Sequence, residues 1–219
     1  MSLAEWRKKR LEAKNIKFLY NFSNIENLPS IIKNGILPKN FVNRSCIKTS
    51  SFAEESVQER RHNKTVKLSD KSQVNLHDLV PLYFTPKTPT LYARKDLQSK
   101  IFFVEISVSL IYEEANNFSF TDGNAGSDST QFFRNLNDIS SLPLEVINAE
   151  YWNNFEDGRR KRCAEFLVYP KVDAKYINKF VVINNEALSI CKDIIRGESN
   201  CNIPIDIDLN FFPHLKMGW

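Results

Sequence analysis

The sequence predicts an α+β fold, and three observations lead to this prediction. Segments of strand character and segments of helical periodicity alternate along the chain, giving about six or seven strands and four or five helices. The 219 residues contain no internal repeat, coiled coil or linker. With 42% hydrophobic and 26% charged residues, the composition is that of a globular protein with a sizeable core. We therefore expect a single domain over residues 1–219.

The first part of the chain predicts a helix, a strand and a second helix. Residues 3–14 form a short basic segment of helical character, and the apolar, aromatic run 16–22 suits a buried strand. Asn24 is placed to cap the next helix and Gly35 to end it. Between them, apolar side chains recur at helical spacing: Leu28, Ile31, Ile32, Ile36 and Leu37.

The central part predicts a long polar segment followed by strands. Residues 40–75 show little periodicity, and loops of this length in compact domains are usually functional or disordered. Residues 76–93 predict a short strand and a proline-constrained turn. Residues 101–109 predict a strand. Residues 118–135 predict a strand that becomes a polar loop, with a helix around Gln131 to Leu136.

The last part predicts further helices and strands in alternation. We expect helices at 145–152 and 184–197, a polar loop at 153–162, and strands at 164–170, 178–184 and 203–212. Gly197 is the predicted end of the last helix. The terminal strand rests on the strict alternation of IPIDIDLNFF.

The composition argues against several classes of protein. Six glycines are few against the roughly 15 of average usage, and neither GxGxxG nor a P-loop motif occurs, so a glycine-rich phosphate loop is not expected. Four cysteines without a CxxC pair and three histidines predict no dedicated zinc site. A polar start and the lack of an apolar run of about 18 residues predict a cytoplasmic protein without a membrane span. The net charge of +4 permits a polyanionic partner.

The segment RRKRCAEFLVYP (159–170) carries the most chemical information. Glu165 begins an otherwise apolar strand, where alternation places it on one face with Leu167 and Tyr169. A carboxylate among core-forming residues is costly unless it is paired or lies in a solvated cleft. Two structural interpretations stand beside a functional one: Glu165 points to water at the strand end, or it pairs with an arginine of the preceding loop.

Two other segments could carry binding chemistry. The cluster VQERRH (57–62) is either a solvated charge run or a clamp for phosphates or carboxylates, since Arg presents a rigid fork of donors. The adjacent His77 and Asp78 do not predict a catalytic dyad, because neighbours in a strand rarely face each other. The segment after them could hold bases by stacking and phosphates by charge, through Tyr83, Lys87, Thr88 and Tyr92.

These segments, in this order, resemble the DarT family of bacterial NAD-dependent ADP-ribosyltransferase toxins, which modify bases in single-stranded DNA. The family's opening His-x-Thr-His-Ile-x-Asn-Leu segment, preceded by an aromatic residue, corresponds to YNFSNIENL, and its Ile-Gln-Glu-Arg-Arg to VQERR. Its Leu-His-Asp-Tyr-Val-Pro-Phe-Tyr-Phe segment corresponds to LHDLVPLYF, its Phe-Thr-Asp to FTD and its Gln-Ala-Glu-Phe-Leu-Val-Tyr to CAEFLVY. The resemblance covers roughly residues 18–185.

The resemblance implies a split pair of β-sheets around an NAD cleft, surrounded by helices. It implies that NAD is the co-substrate and that no metal takes part. Glu165 corresponds to the family's catalytic glutamate, which binds the nicotinamide ribose and favours the oxocarbenium-like transition state. Arg61 corresponds to the arginine that grips NAD and is proposed to act on the base. The implied cofactor-binding residues are Asn21, Phe22, Ser23, Ser30, Pro38, Arg61 and Tyr83.

The resemblance also implies a DNA-binding region on the proline-rich turn and on the loop before Glu165. The residues at the matching positions are Lys87, Thr88, Thr90, Asn124, Tyr151, Arg159 and Arg162, with Trp152 as a further stacking candidate. The sequence departs from the family at Asn21 and Asn24, which replace histidines, and at Ser23, Lys87 and Thr90. The changes at Lys87 and Thr90 lie near where the family reads the base, and they leave the target base open between thymine and guanine.

Three functions therefore stand at this point. The first is a toxin that transfers ADP-ribose from NAD to a DNA base, with a macrodomain or other ADP-ribosyl hydrolase as its antitoxin partner. The second is a transferase of the same fold that acts on RNA or protein, for which the departures at Asn21, Asn24 and Thr90 argue. The third is a nucleic-acid-binding module with an inactive NAD cleft. A monomer is expected in each case.

Overall fold

The computed structural model describes residues 1–52, 55–113, 115–198 and 201–212, without the side chains of residues 55–57. The helices lie at Leu3–Glu12 (α1), Leu28–Asn34 (α2), Lys39–Arg44 (α3), Glu55–His62 (α4), Pro89–Tyr92 (α5), Leu144–Asn148 (α6), Gly158–Lys161 (α7) and Asn185–Gly197 (α8). The strands lie at Phe18–Asn24 (β1), Thr65–Lys67 (β2), Gln73–Asn75 (β3), Val80–Tyr83 (β4), Ile101–Ser107 (β5), Asn117–Thr121 (β6), Phe132–Phe133 (β7), Glu165–Tyr169 (β8), Ile177–Val182 (β9) and Ile205–Ile207 (β10). The predicted α+β class is confirmed.

The main sheet has two halves that meet at a single residue pair. Its strand order is β10-β9-β5-β1-β4-β8-β6-β7, and β2 and β3 form a separate hairpin. β1 pairs with β5 over seven residues, whereas its pairing with β4 consists of Tyr20 opposite Tyr83. The implied split pair of sheets thus takes the form of one sheet that is nearly divided between β1 and β4.

Both faces of this sheet are covered by apolar side chains. In β5, Phe102 and Val104 pack into the large cluster on one face, and Ile101 and Phe103 pack into a second cluster on the other. This explains why residues 101–104 are a continuous apolar run, because a strand covered on both faces has no polar side. The helix α8 packs Ala187 and Cys191 against the large cluster.

The turn after α2 has a conformation that requires glycine. Gly35 ends the helix, as the sequence predicts, with a φ of 74°. A Cβ atom at this position would lie 2.1 Å from the carbonyl oxygen of Val172. The next residue, Ile36, exchanges two backbone hydrogen bonds with Val172. Gly35 therefore allows the N-terminal part of the chain to pack closely against the segment between β8 and β9.

Several element predictions were wrong. Residues 40–75, predicted as a loop, contain α3, α4, β2 and β3. Helix α4 lacks an apolar stripe, since Val57 is the one apolar residue in ESVQERRH, so periodicity does not reveal it. The predicted loop 153–162 contains α7, and the predicted strand 203–212 is shortened to β10, followed by a 3₁₀ turn.

The predicted helix around Gln131 to Leu136 was also wrong. Phe132 and Phe133 form β7, which pairs with the end of β6. The ring of Phe133 stacks on Phe120 with a centroid distance of 5.3 Å. Cross-strand aromatic pairing of this kind favours a strand over a helix.

Within the described residues, no helix combines the length and apolar character needed to cross a membrane.

Candidate active site

A large cleft opens at the split in the sheet. Its volume is about 1390 Å³, somewhat above the 300–1,000 Å³ of typical small-molecule sites. The end of β1, from Asn21 to Asn24, forms one wall, and Pro81 and Tyr83 of the adjacent strand β4 form another. Glu165, the first residue of β8, lies opposite Tyr83 in the strand register and also lines the cleft.

Glu165 and Arg61 form a bidentate ion pair in this cleft. The two terminal nitrogens of Arg61 donate to Oε1 and Oε2 of Glu165, each at 3.0 Å. The side chain of Glu165 is 1% exposed and that of Arg61 11%. Paired forks of this geometry are among the stronger hydrogen-bonded contacts in proteins. The partner of Glu165 is an arginine of α4, about a hundred residues earlier, and not one of the loop directly before β8.

The loop after β6 supplies a third donor to Glu165. The backbone N–H of Ala125 donates to Oε1 at 2.9 Å, so this oxygen accepts two hydrogen bonds and Oε2 accepts one. The Glu165 backbone is held in turn, because its N–H donates to Oγ1 of Thr121 at 2.9 Å. Among the contacts of the described residues, Oε2 is the oxygen with more remaining capacity to accept a hydrogen bond.

The charges around this pair shift the pKa values of its neighbours. Burial lowers the pKa of Arg61, but the charge and the hydrogen bonds of Glu165 outweigh it and raise the pKa above its usual value. Burial, with the charge of Glu165, raises the pKa of the Tyr83 hydroxyl. Burial also raises the pKa of the Cys163 thiol, to about 11. Arg61 is therefore a cation, and Tyr83 and Cys163 are neutral, at pH 7.

The loop that carries Ala125 is held from two sides. Arg160 of α7 donates to both carboxylate oxygens of Asp122, at 2.9 and 3.2 Å, and to Oγ1 of Thr130 at 3.1 Å. Lys64 donates to the carbonyl oxygens of Gly126 and Ser127, at 3.2 and 2.7 Å. We call residues 122–131 the clamped loop. Its two cations fix the position from which Ala125 reaches Glu165.

The family of the chain follows from a sequence model. The model of the DarT family, described as ssDNA thymidine ADP-ribosyltransferase, matches residues 20–213. The chain belongs to the DarT family. The resemblance that the motifs predict is thereby confirmed.

Individual DarT-family relatives have similar sequences and folds. The DNA ADP-ribosyl transferase of Thermus sp. (strain 2.9) is 32% identical over 185 residues, which cover 80% of this chain and 87% of the relative. The solved structure of Thermus sp. 2.9 DarT in complex with ADP-ribosylated ssDNA has a TM-score of 0.76 and 29% identity, covering 90% of this chain and 96% of that one.

A further relative is longer than this chain. The DNA ADP-ribosyl transferase-DNA ADP-ribosyl glycohydrolase fusion protein of Thermosipho africanus (strain H17ap60334) is 32% identical over 198 residues. The matched region covers 89% of this chain and 49% of the fusion protein. The chain thus spans about half the length of this relative.

The departures from the DarT family on β1 have structural consequences. The amide of Asn21 donates to the carbonyl oxygen of Pro81 at 2.9 Å and so connects β1 to β4 across the split. The side chain of Asn24 accepts from the N–H of Glu26 and caps the following turn. Phe22 stacks on Tyr83 with a centroid distance of 6.1 Å. The structure places Asn21, Phe22 and Ser23 together on the cleft wall.

Sequence reasoning missed Asn27, which holds this wall in place. Its amide nitrogen donates to Oγ of Ser23 at 2.9 Å and to the carbonyl oxygen of Ser50 at 2.8 Å. Its amide oxygen accepts from the N–H of Ser50 at 2.9 Å. Asn27 is 8% exposed. Asn27 corresponds to the Asn of the Asn-Leu pair that closes the family's opening segment, and this match is the feature of the sequence that indicates its importance.

The other predicted cofactor-binding residues divide between the cleft and its margin. Ser30, Arg61 and Tyr83 line the cleft. Pro38 does not line it, but precedes α3 as the residue before its first turn. Its neighbour Lys39 does line the cleft, although no motif singles it out.

The predicted DNA-binding residues also divide. Thr90, Asn124 and Arg159 line the cleft. Tyr151 lies outside the cleft lining and is 44% exposed, and Lys87 is half-buried on the turn before α5. Trp152, the further stacking candidate, packs edge-on against Tyr92 at a centroid distance of 6.1 Å. The structure thus brings three of the predicted residues into the cleft lining and leaves Tyr151, Lys87 and Trp152 outside it.

Arg162 and Thr88 differ from the prediction that they contact DNA. Arg162 is 2% exposed and donates to the carbonyl oxygens of Lys87, Val146 and Ala149, at 2.6 to 2.7 Å. Thr88 is fully buried, and its hydroxyl caps α5 by accepting from the N–H of Leu91. Both side chains are committed to backbone groups, so they hold the region together and do not face a phosphate in this conformation.

A basic wall of the cleft was not predicted. His77 and Lys39 line it beside Arg61, and Nε2 of His77 is buried with no hydrogen-bond partner among the described residues. Burial first, and then the charges of Lys39, Arg61 and His62, lower the pKa of His77 to about 4, against the opposing effect of Asp78. His77 is therefore neutral at pH 7. Asp78 contacts Asn40 and Arg44 instead of His77.

Proposed function

We propose that this chain transfers ADP-ribose from NAD to a thymine base in single-stranded DNA and releases nicotinamide. The observation that carries the proposal is the buried, bidentate pair of Glu165 and Arg61 in a cleft at the split of the sheet. The family description names single-stranded DNA thymidine as the substrate, which favours thymine over guanine.

The proposed role of Glu165 follows from its hydrogen bonds. Oε1 is occupied by Arg61 and Ala125, so we assign the contact with a nicotinamide ribose hydroxyl to Oε2. The carboxylate then places negative charge beside the ribose as the bond from its C1′ to nicotinamide breaks. The bonding electrons leave with nicotinamide, and positive charge develops on the sugar. A preorganised charge of this kind contributes about 10²–10³ in rate.

The proposed role of Arg61 is to orient and to polarise, not to accept a proton. Because Glu165 raises its pKa, Arg61 remains charged and has no free base form at pH 7. It holds both oxygens of Glu165 in place and presents its charge to the cleft. The thymine nitrogen bonds to C1′ and releases its proton, which passes to solvent or to another base.

The charge of the cleft supports a dinucleotide substrate. Lys39, Arg60 and Arg159 line it together with Arg61. Cations in such positions form strong charge-assisted contacts with phosphate oxygens. The stacked rings of Phe22 and Tyr83 add an apolar surface to the cleft lining, which suits the nicotinamide ring.

The test is an acceptor panel with labelled NAD. Single-stranded oligonucleotides that differ in thymine and guanine content, together with RNA and protein, are incubated with the wild type and with Glu165→Gln. We expect transfer to thymine-containing DNA, and a loss of about 10²-fold or more in the variant, which keeps the shape of the side chain but removes its charge. Transfer to RNA or protein alone, or full activity of Glu165→Gln, would contradict the proposal.

We further propose how the activity is organised in the cell. Residues 1–219 would form a single ADP-ribosyltransferase domain that acts in the cytoplasm, where its DNA and NAD are found. Its activity would be that of a toxin, reversed by an ADP-ribosyl hydrolase as antitoxin. The Thermosipho relative, whose name joins a transferase to a glycohydrolase, supports this pairing.

A further inference from the structure

A second cavity lies at the other end of the junction between β1 and β4. The pair Tyr20–Tyr83 separates it from the main cleft, because the strands run antiparallel and the cleft is lined by the residues that follow Tyr20. The volume of the second cavity is about 380 Å³. It is lined by Lys14, Asn15, Ile16, Lys17, Phe18, Tyr20, Phe84, Leu144, Ile147 and Asn148.

The lining of this cavity combines cations with aromatic rings. Lys14 and Lys17 supply positive charge, and none of the lining residues carries a carboxylate. Phe18, Tyr20 and Phe84 are all half-buried. The ring of Tyr20 packs edge-on against Phe211 in the second cluster, and that of Phe84 packs edge-on against Phe166 in the large cluster. Phe84, which shares the large cluster with Leu144 and Ile147 of the lining, is the ring that can stack on a ligand in this cavity. Lysines beside stacking surfaces are the usual means of holding single-stranded nucleic acid.

The position of the cavity sets which nucleotide it could hold. Tyr20 lies opposite Tyr83, which lies opposite Glu165, so two strand spacings, on the order of 10 Å, separate Tyr20 from Glu165. A base in the second cavity is therefore too far from Glu165 to be the reacting base. It is close enough to be a neighbour of the reacting base in the same short piece of single-stranded DNA.

One wall of the cavity is tied to the predicted DNA-binding turn. This wall is α6, which contributes Leu144, Ile147 and Asn148. The buried Arg162 joins the end of α6 to that turn through the carbonyl oxygens of Val146 and Lys87. Arg162 therefore holds the second cavity at a fixed position relative to the predicted DNA-binding turn.

We propose that the second cavity is a subsite for a nucleotide that flanks the target base in single-stranded DNA. Lys14 and Lys17 contact the phosphates on either side of it, and the ring of Phe84 contacts the base. This assignment rests on the proposed function, since it deepens the description of its acceptor. It assigns to the segment before β1 a part in selecting the substrate.

The test compares two double variants of equal charge change. Lys14→Gln/Lys17→Gln alters the cavity, and Lys9→Gln/Lys192→Gln alters exposed lysines elsewhere. Binding of a labelled thymine-containing oligonucleotide is measured by fluorescence anisotropy over a series of salt concentrations. We expect the cavity variant to bind about tenfold more weakly at low salt and to lose about 1.4 from its slope in log salt, from two phosphate contacts. The control should match the wild type.

Measuring ADP-ribose transfer as well as binding shows whether the subsite or the proposed function is wrong. With oligonucleotides shortened stepwise toward the target, the difference between wild type and cavity variant should disappear once the flanking nucleotide is removed. Equal binding and equal salt slopes in the two double variants, with normal transfer by the wild type, would overturn the subsite alone. Lysine-dependent binding without any transfer would overturn the proposed function and leave the subsite. Absence of oligonucleotide binding by the wild type would overturn both.

Discussion

At the scale of single residues, the central feature is a carboxylate whose two oxygens have different surroundings. Oε1 of Glu165 accepts from Arg61 and Ala125, while Oε2 accepts from Arg61. The strand alternation in the sequence indicates a buried acid at this position. It cannot show that the partner comes from α4, because a contact across a hundred residues leaves no local pattern.

Arg61→Lys tests whether the paired fork is needed. A lysine ammonium is a point charge and does not reproduce two parallel hydrogen bonds to one carboxylate. We expect kcat for transfer to fall by about 10²-fold, with a smaller change in the affinity for NAD. Steady-state kinetics with Arg196→Lys on the exposed part of α8 provide the control. Unchanged kcat in Arg61→Lys would show that charge alone is sufficient.

His77 predicts a pH dependence of stability. Its folded pKa, about 4, lies below the usual 6.5, so between these values the unfolded chain binds a proton that the folded chain does not. Stability should therefore fall as the pH decreases from about 6.5 to 4, by roughly 1–2 kcal/mol from this group after allowance for solvent. Urea unfolding at several pH values, with His77→Gln as the comparison, measures it. A variant with the same pH slope as the wild type would contradict the assignment.

At the scale of elements, α4, α7 and the clamped loop are the parts of the site that the sequence pattern did not predict. Their sequences are polar, and they fold because they hold one another. Arg160 of α7 holds Asp122, and Lys64 after α4 holds the loop carbonyls. Hydrophobic periodicity predicted most elements of the sheet, whose stability depends on apolar burial. It could not predict elements that are fixed by ion pairs and backbone contacts.

Arg160→Gln tests the clamped loop as a positioning element. Removing the guanidinium should make the clamped loop more mobile and weaken the hydrogen bond from the Ala125 N–H to Glu165. A displacement of about 1 Å can lower a rate by roughly 10²-fold, so we expect a fall in kcat of about 10- to 100-fold with little change in NAD affinity. Rescue is expected in part from Arg160→Lys, which keeps the charge near Asp122.

Two further measurements distinguish this positioning role from general loss of structure. The thermal unfolding midpoint of Arg160→Gln should remain close to that of the wild type if the effect is local to the loop. Both Arg159 and Arg160 line the cleft, but Arg159 is exposed whereas Arg160 is held by Asp122. Arg159→Gln should therefore weaken substrate binding more than kcat. The same kinetic pattern in both variants would count against a positioning role for Arg160.

At the scale of the whole molecule, Gly35 is a point of contact between distant parts of the chain. A side chain there would meet the Val172 carbonyl oxygen at 2.1 Å in a left-handed backbone conformation. Gly35→Ala should therefore lower the free energy of unfolding by about 2 kcal/mol or more. Gly197→Ala, at the end of α8 with no heavy atom of the described residues within 4 Å of an added Cβ, should be neutral or raise it by up to about 1 kcal/mol. Denaturant unfolding of both variants gives the comparison.

The single-pair junction between the halves of the sheet also affects how the molecule responds to its substrate. Few backbone hydrogen bonds link β1 to β4, so the junction between the two halves should open at a lower free energy than the β1–β5 ladder, although both halves share the large apolar cluster. A ligand that contacts both walls acts as a non-covalent crosslink between these halves. Substrate binding should therefore suppress opening at the junction, and amide protection should rise in β1 and β4 on both sides of it.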